Sequence, residues 1–396
     1  MKKVMGKLLS AMLILTLVFT SASVAFADSS ETGAGEMKAK VSSVQKEVAE
    51  PDTVQAPKLE IKSEKVATTK ATYPILPLTK VTTGNEKGLT GYRYNAANQI
   101  FILKAPSKGV FHIRLEGELT KGGISAEIKT SPTASSYLDW TYISGKSTSE
   151  LMAEVPSAGT YYLALEPTSA VGTIVVGGTH INGADRTLTN NNWSAVGVEK
   201  AQTRYFKVRA TSAGYITVQA NNLSGNVTLM NSSKKKALSN AVSARDYSPT
   251  KVTFGVKKGT YYIKAKNNDT NDGIYQIKYT NKRIKEKSGK KKSRAVLLKK
   301  KRTKKGTIVA GEKRTDWYKF RVTKRKTVRI TMKGATNDEL KVAVYKGGRN
   351  IGRGTLYESR GGVKLKSLGK LSKGTYYIKV YRGNKKSSGW YSLSWR

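Results

Sequence analysis

The side chains that most often carry catalysis are scarce in this chain of 396 residues. It has two histidines and no cysteine, which excludes disulfides, thiolate metal sites and thiol catalysis. His112 alternates with Phe111 and Ile113, which predicts a solvent-facing strand residue, and His180 lies in a glycine-rich segment that predicts a connector between domains. The chain also lacks the GxSxG and HExxH motifs of common hydrolases. We therefore expect neither enzymatic activity nor a cofactor.

One short loop has the oxygen-rich composition of a calcium site. Asn267, Asp269, Asn271 and Asp272 offer side-chain oxygens shortly before a glycine. Their register departs from that of an EF-hand, and no glutamate follows at the required distance. We therefore predict a hairpin turn without metal, and calcium binding is the alternative interpretation.

Basic residues are the most abundant side chains that could bind a partner. The chain has 71 Lys and Arg against 27 Asp and Glu, a formal net charge of +44. About half of the basic residues but only six of the acidic ones lie from Lys282 to Arg396, and 14 of the 24 residues from Lys282 to Lys305 are basic. A charge excess of one sign attracts polyanions, so it predicts the partner rather than the fold.

The same basic residues alternate with apolar ones near the C-terminus, as in half-buried strands. The outward basic and aromatic positions are the candidate binding residues: Lys319, Arg321, Arg329, Lys333, Lys341, Lys364, Lys366, Tyr377, Lys379 and Tyr381. Flat rings beside charges suit a polysaccharide, an extended peptide or single-stranded nucleic acid. Since a surface of mixed charge would serve solubility better, we expect an anionic partner. The alternatives are cross-strand aromatic packing for the tyrosines and a solvated linker for the densest run of charge.

The elements that would position these residues recur three times along the chain. The repeated motif is GTYYL at Gly159–Leu163 and GTYYI at Gly259–Ile263 and Gly374–Ile378. Its first tyrosines, Tyr161, Tyr261 and Tyr376, are 100 and 115 residues apart. These intervals exceed the roughly 20–50 residues of a solenoid repeat and match a domain of about 100 residues. In each copy the first tyrosine alternates in phase with apolar residues, which predicts that it is buried and that the second points to the opposite face.

Short alternating segments separated by Gly, Asn and Ser, without a helical period, predict an all-β fold. We predict three tandem antiparallel β-sandwiches. The expected divisions are a flexible linker over residues 28–72, sandwiches over 73–180 and 185–281, a basic linker over 282–294, and a strongly basic sandwich over 295–396. The first sandwich is the most divergent of the three.

The first 27 residues resemble a secretory signal peptide. Lys2, Lys3 and Lys7 accompany the apolar run Leu8–Phe19, and the small-residue site Ala25–Ala27 follows. The alternative is an uncleaved membrane anchor, but the run is short against the roughly 20 apolar residues that span a bilayer. We expect cleavage after Ala27 and a secreted protein without a membrane span, released or held non-covalently at the cell surface. The sequence gives no oligomeric state.

The third repeat resembles the bacterial pre-peptidase C-terminal (PPC) domain family. The resemblance rests on Thr315–Phe320, Val328–Ile330, Leu340–Tyr345 and Lys373–Val380, and it extends with less similarity over the two earlier repeats. This family consists of β-sandwiches appended to secreted peptidases and includes collagen-binding modules of clostridial collagenases. The resemblance implies tandem jelly-roll-like sandwiches with a binding or accessory role. Members that bind calcium use acidic residues near the start of the domain, where this repeat has Lys and Arg.

These observations predict a secreted, non-enzymatic protein that binds an anionic polymer through its basic C-terminal domain. Cell-wall or host acidic polysaccharide and extracellular DNA are the candidate partners. The first alternative is an accessory domain array for secreted peptidases with an extracellular matrix protein such as collagen as ligand, and the second is a structural spacer. Salt distinguishes the first two, because charge-driven binding weakens steeply with ionic strength.

Overall fold

The computed structural model describes residues 37–42, 59–62, 73–81, 89–221, 224–244, 250–285, 288–357 and 362–396. All of them belong to one compact unit, residues 34–396. The predicted signal peptide and most of the predicted linker over 28–72 lie outside the described residues. Within the described ranges the chain forms β-strands and one short 3-10 turn, which confirms the all-β prediction. No helix in these ranges is long and apolar enough to cross a membrane.

Two short strands, β1 (Met37–Ser42) and β2 (Leu59–Lys62), precede the sandwiches. Sandwich 1 follows with β3 (Leu89–Asn95), β4 (Gln99–Ala105), β5 (Gly109–Lys129), β6 (Asp139–Ser144), β7 (Thr148–Val155) and β8 (Gly159–Asn182). Strands β5 and β8 pair with each other along nearly their whole length and run through both layers of the sandwich. One half of β5 pairs with β7 and the other with β6, while β8 pairs with β4 and β3.

The long strands of sandwich 1 bend where the register of β5 and β8 shifts, between Leu119 and Gly123. Gly122 at this bend has φ +65°, a conformation that favours glycine. A Cβ atom there would lie 2.3 Å from the backbone oxygen of Thr168, so no larger residue fits. This irregularity is a β-bulge that turns one continuous hairpin from the first layer into the second.

Sandwich 2 consists of nine strands in two sheets. They are β9 (Arg186–Thr187), β10 (Trp193–Val198), β11 (Thr203–Ala210), β12 (Gly214–Asn221), β13 (Gly225–Met230), β14 (Val242–Ala244), β15 (Thr250–Val256), β16 (Gly259–Asn267) and β17 (Gly273–Arg283). The sheet orders are β10-β17-β12-β15 and β14-β13-β16-β11-β9. This is the topology of sandwich 1 with β5 divided into β12 and β13, and β8 divided into β16 and β17.

Sandwich 3 has the same topology as sandwich 2. After a 3-10 turn at Lys292–Arg294 it contains β18 (Val296–Leu297), β19 (Thr303–Ile308), β20 (Thr315–Val322), β21 (Arg329–Thr336), β22 (Glu339–Lys346), β23 (Arg349–Tyr357), β24 (Gly362–Ser367), β25 (Gly374–Arg382) and β26 (Gly389–Trp395). Its sheets are ordered β1-β24-β21-β26-β19 and β18-β20-β25-β22-β23.

Strand β1 therefore belongs to the last sandwich although it lies near the start of the chain. It pairs antiparallel with β24, from Met37 opposite Ser367 to Ser42 opposite Gly362, and Met37 is buried in the core of sandwich 3. Strand β2 pairs in parallel with β3. Both strands correct the prediction of a flexible linker for the residues they cover. The local sequence cannot show this pairing, because the partner of β1 lies at the far end of the chain.

Each sandwich has its own hydrophobic core. The three cores include Phe111 and Leu163, Phe206 and Ile263, and Phe320 and Ile378, respectively. Tyr161 and Tyr376 are buried and Tyr261 is half-buried against its core, whereas the second tyrosine of each repeated motif lies on the outer face. The prediction of an inward first tyrosine is thus confirmed.

The environments of the two histidines differ from those that the sequence predicts. His112 is on the outer face of β5, as expected, but it is buried there with its Nε2 3.2 Å from Glu150 Oε2. The same face meets sandwich 2 at Val110, where a Cβ atom on Gly197 of β10 would lie 3.0 Å away. His180 is part of β8 and not of a connector, and its ring packs edge-on against Phe111 at 5.4 Å. Burial lowers the pKa of His180.

Residues 282–294 do not form the free basic linker that their composition predicts. β17 continues to Arg283, and the Ile284 N–H donates to a backbone oxygen of the turn before β12. Gly289 and Trp317 then exchange two backbone hydrogen bonds of 3.0 and 2.7 Å. Apart from 286–287, which lie outside the described residues, this segment is fixed to sandwiches 2 and 3.

Candidate functional site

The ten candidate binding residues lie on two different sheets of sandwich 3. Arg329 and Lys333 on β21 and Lys364 and Lys366 on β24 share the outer face of the sheet that contains β1. The other six lie on the second sheet, on strands β20, β22 and β25: Lys319, Arg321, Lys341, Tyr377, Lys379 and Tyr381. Alternation predicts which residues point outward but not which sheet they belong to, so one predicted surface is in fact two.

We call the first surface the basic face. It consists of Lys305, Arg329, Lys333, Lys364, Lys366 and Arg396, all of them exposed. Lys305 and Arg396 were not among the predicted site residues. Lys305 lies opposite Ser392 in β26, which in turn lies opposite Lys333. Only strand pairing shows that these side chains share a face with the others.

The cations of the basic face stand side by side across neighbouring strands. Lys366 lies directly opposite Arg329, and Arg329 exchanges two backbone hydrogen bonds of 2.9 Å with Arg396. On the other side of β24, Lys38 of β1 lies opposite Lys366, and Lys40 lies opposite Lys364. The sheet register therefore aligns four basic residues in one row over four strands.

No cation of the basic face forms an ion pair with any residue that the structure describes. Like charges directly opposite each other destabilise a sheet. Basic side chains also lie close together outside the row, next to Trp395. There partial burial lowers the pKa of Lys326, and the charges of Lys300 and Lys324 lower it further.

We call the second surface the mixed face, because aromatic rings and cations alternate on it. Lys379 Nζ lies 5.8 Å from the ring centroid of Trp317 and 4.7 Å from that of Tyr381. Lys292 Nζ similarly lies 5.0 Å from the ring of Tyr377. Such cation–π contacts stabilise by roughly 0.5–1 kcal/mol at exposed sites. Lys341 of the mixed face also lies 3.5 Å from a Glu339 carboxylate oxygen. Part of the charge of the mixed face is therefore neutralised internally, whereas no described residue neutralises that of the basic face.

A buried polar network holds the start of β20, where the PPC-like Asp-Trp-Tyr element lies. Asp316 is fully buried; its carboxylate accepts hydrogen bonds from Arg314 Nε at 2.9 Å, Ser288 Oγ at 2.8 Å and the Tyr391 hydroxyl at 2.6 Å. Burial raises the pKa of Tyr391 well above its ordinary value, so its hydroxyl stays a donor. The role of Asp316 is therefore structural, a role that the sequence resemblance alone does not reveal.

The loop considered for calcium uses its oxygens within the protein. Asn267 donates to three backbone carbonyl oxygens, and Asp269 accepts backbone and side-chain hydrogen bonds from its own loop. The Asp272 carboxylate accepts the backbone N–H of Glu154 in sandwich 1 at 2.7 Å and of Lys200 in sandwich 2 at 2.9 Å. Asn271 contributes its carbonyl to the same turn. This geometry favours the hairpin turn, which here also joins two sandwiches.

Within the described ranges, no group of three or more acidic or histidine side chains is placed to hold a metal ion. The surfaces of sandwich 3 offer solvent-facing cations and flat rings, which can contact a polymer.

Comparison with protein-family profiles and with curated proteins gives no match. Among solved structures, the pre-peptidase C-terminal domain of a Bacillus anthracis collagenase is 20% identical and covers 26% of this chain and 94% of that domain, with a TM-score of 0.22. A triple jelly roll protein of an archaeal virus is 9% identical over 82% of this chain and 98% of its own, with a TM-score of 0.21. Tripeptidyl peptidase 2 is 10% identical over 76% of this chain and 33% of its own, with a TM-score of 0.20.

Proposed function

We propose that this chain is a secreted, non-enzymatic binding protein whose third sandwich attaches to an anionic polymer through the basic face. The observation that supports the proposal is the row formed by Lys366, Arg329 and Arg396. These exposed cations are held in register without an acidic partner in the described part of the chain. Alignment of like charges costs free energy, and a bound polyanion would offset that cost.

The extent of the basic face favours a polymer over a small anion. Its cations occupy strands β24, β21, β26 and β19, or follow them directly, and three strand spacings cover about 14 Å. A ligand with repeated negative charges could contact several cations at once. Cell-wall or host acidic polysaccharide and extracellular DNA have this property.

The proposal is tested with the chain from residue 28 onward, binding to immobilised heparin, teichoic acid and double-stranded DNA at low and physiological salt. The variant Arg329→Glu with Lys366→Glu removes the centre of the row. We expect its affinity to fall by more than about tenfold, and the slope of log affinity against log salt on DNA to decrease by about two. The matched control is Lys319→Glu with Lys379→Glu on the mixed face, which changes the net charge equally.

Equal losses in the two variants would show that net charge, and not the basic face, drives binding. Unchanged binding in both would overturn the proposal and favour the protein ligand of the first alternative. Circular dichroism of each variant verifies that the fold is retained. Secretion is tested separately by the mass of extracellular protein, which should begin at Asp28.

A further inference from the structure

Sandwich 1 carries a cluster of exposed aromatic side chains at one edge. Tyr137, Trp140 and Tyr142 are 48%, 52% and 51% exposed, and the ring centroids of Tyr137 and Trp140 are 6.2 Å apart. We call these three residues the aromatic ridge. Exposed apolar side chains scattered singly are ordinary on protein surfaces, whereas a contiguous group marks an interaction site.

The ring of Tyr142 packs against the sheet over a glycine on the neighbouring strand. Trp140 and Tyr142 alternate on β6 with the buried Ile143, so both point outward. A Cβ atom on Gly123 of β5 would lie 2.0 Å from the Tyr142 hydroxyl oxygen. The tyrosine therefore lies across a position that has no side chain, and its half-exposed ring forms a flat platform.

A groove of about 820 Å³ lies on the same sheet face. Tyr73, Gln99, Ser125 and Glu166 are among the residues that line it. Ser125 lies opposite Tyr142 in the β5–β6 pairing and opposite Glu166 in the β5–β8 pairing, so ridge and groove are neighbours. From β6 across β5 and β8 to β4 this face spans three strand spacings, about 14 Å.

The charged groups beside the groove pair with one another, with one lysine between two carboxylates. Lys129 Nζ lies 2.7 Å from a Glu127 carboxylate oxygen and 3.6 Å from one of Glu166. The equivalent positions on the mixed face of sandwich 3 are more basic, with Lys379 where sandwich 1 has Ala164 and Arg353 where it has Trp140. The two faces share a topology but suit ligands of different charge.

We infer that the ridge and groove of sandwich 1 bind a neutral polysaccharide. The apolar faces of sugar rings match flat, half-exposed aromatic rings, and sugar hydroxyls match the amide, hydroxyl and carboxylate groups that line the groove. A protein partner fits less well, because stable protein interfaces have a larger and more apolar centre than three rings beside a polar groove. This site is on a different sandwich from the basic face, so the chain would carry two independent binding surfaces.

Affinity electrophoresis of the chain from residue 28 onward, in gels that contain xylan, glucomannan, laminarin or glycol chitin, tests this inference. We expect retardation by at least one of these polymers, and we expect high salt to leave it unchanged because a neutral polymer has no charge for salt to screen. The variant Trp140→Ala with Tyr142→Ala should weaken the retardation about tenfold or more. Gly123→Ala should weaken it as well, since a methyl group there displaces the Tyr142 ring without removing it.

Tyr357→Ala is the matched control, because this tyrosine is 54% exposed but lies on sandwich 3. It should leave retardation unchanged. The inference is overturned if none of the four polymers retards the chain, or if the ridge variant is retarded as strongly as the parent. Arg329→Glu with Lys366→Glu should not affect retardation, which separates this test from that of the polyanion proposal.

Discussion

One position of the fold has a different environment in each of the three sandwiches. Arg329 on β21 corresponds to Thr217 on β12, since Ile330 pairs with Trp395 as Val218 pairs with Tyr279, and it corresponds to His112 on β5. His112 and Thr217 are 7% and 9% exposed, whereas Arg329 is exposed.

Packing between sandwiches explains the difference. The outer face around His112 meets β10 of sandwich 2, and Tyr215, two residues before Thr217, stacks on Trp390 of sandwich 3 at 5.3 Å. Nothing in the described chain covers Arg329 and its neighbours. An uncharged or paired residue thus occupies this position on the two covered faces, and an unpaired cation occupies it on the open one, as the cost of burying a charge requires.

The largest expected effect concerns the hydrophobic cores. It tests whether the cores of the three sandwiches depend alike on a buried tyrosine although the outer faces differ. Tyr376→Ala and Tyr161→Ala should each lower the free energy of unfolding of their sandwich by about 3–5 kcal/mol, because both side chains are buried. Tyr261→Ala should cost less, since this tyrosine is only half-buried, and Tyr377→Ala should cost least of the four. Denaturant midpoints measure these differences, and equal losses for Tyr376 and Tyr377 would contradict the assignment of inner and outer faces.

A reciprocal exchange tests the comparison itself. Thr217→Arg places a cation on a covered face where Thr217 and Thr253 hydroxyls lie 3.2 Å apart, and it should destabilise by about 2 kcal/mol or more. Thermal and denaturant unfolding of sandwich 2 measure this loss. If Thr217→Arg were tolerated without loss, burial between sandwiches would not explain why this position holds an unpaired cation only in the third.

The reverse change should be almost neutral. Arg329→Thr removes one of two opposed cations on an exposed face, so we expect a change within about 0.5 kcal/mol and in the stabilising direction. The same variant should weaken binding to heparin. A clear loss of stability would show that Arg329 has a structural role that its exposure does not suggest.

An effect that depends on pH concerns the covered face of sandwich 1. The neighbouring His112 holds the pKa of Glu150 below its ordinary value, although burial acts in the opposite direction. A carboxyl group with a lowered pKa in the folded state adds stability above its unfolded pKa of about 4.3, and this stability is lost as the pH falls through the folded value. Glu150→Gln should therefore lower the free energy of unfolding by less than about 1 kcal/mol at neutral pH and leave it unchanged in acid. A loss of stability that persisted in acid would show that the interaction of the Glu150 carboxylate with His112 is not its cause.

The strand alternation that predicts the all-β fold is a local property of the sequence. The same alternation places Tyr376 and Tyr377 on opposite faces of their strand. Both predictions hold because strand neighbours in sequence lie on opposite faces. The burial of His112 and the pairing of β1 with β24 depend on partners far away in sequence, which composition and periodicity cannot identify. For the same reason alternation cannot show that the ten candidate residues lie on two different sheets, which strand pairing does.

The pairing of β1 with β24 brings the two ends of the described chain together. Met37 lies opposite Ser367, β24 pairs with β21, and Arg329 at the start of β21 hydrogen-bonds to Arg396. Three strand spacings, roughly 14 Å, separate the two ends. A pull applied between Met37 and Arg396 would therefore load one sheet of sandwich 3 first and would reach sandwiches 1 and 2 only after β1 detaches. Because both ends leave that sheet on the same side, its strands would peel apart one hydrogen bond at a time.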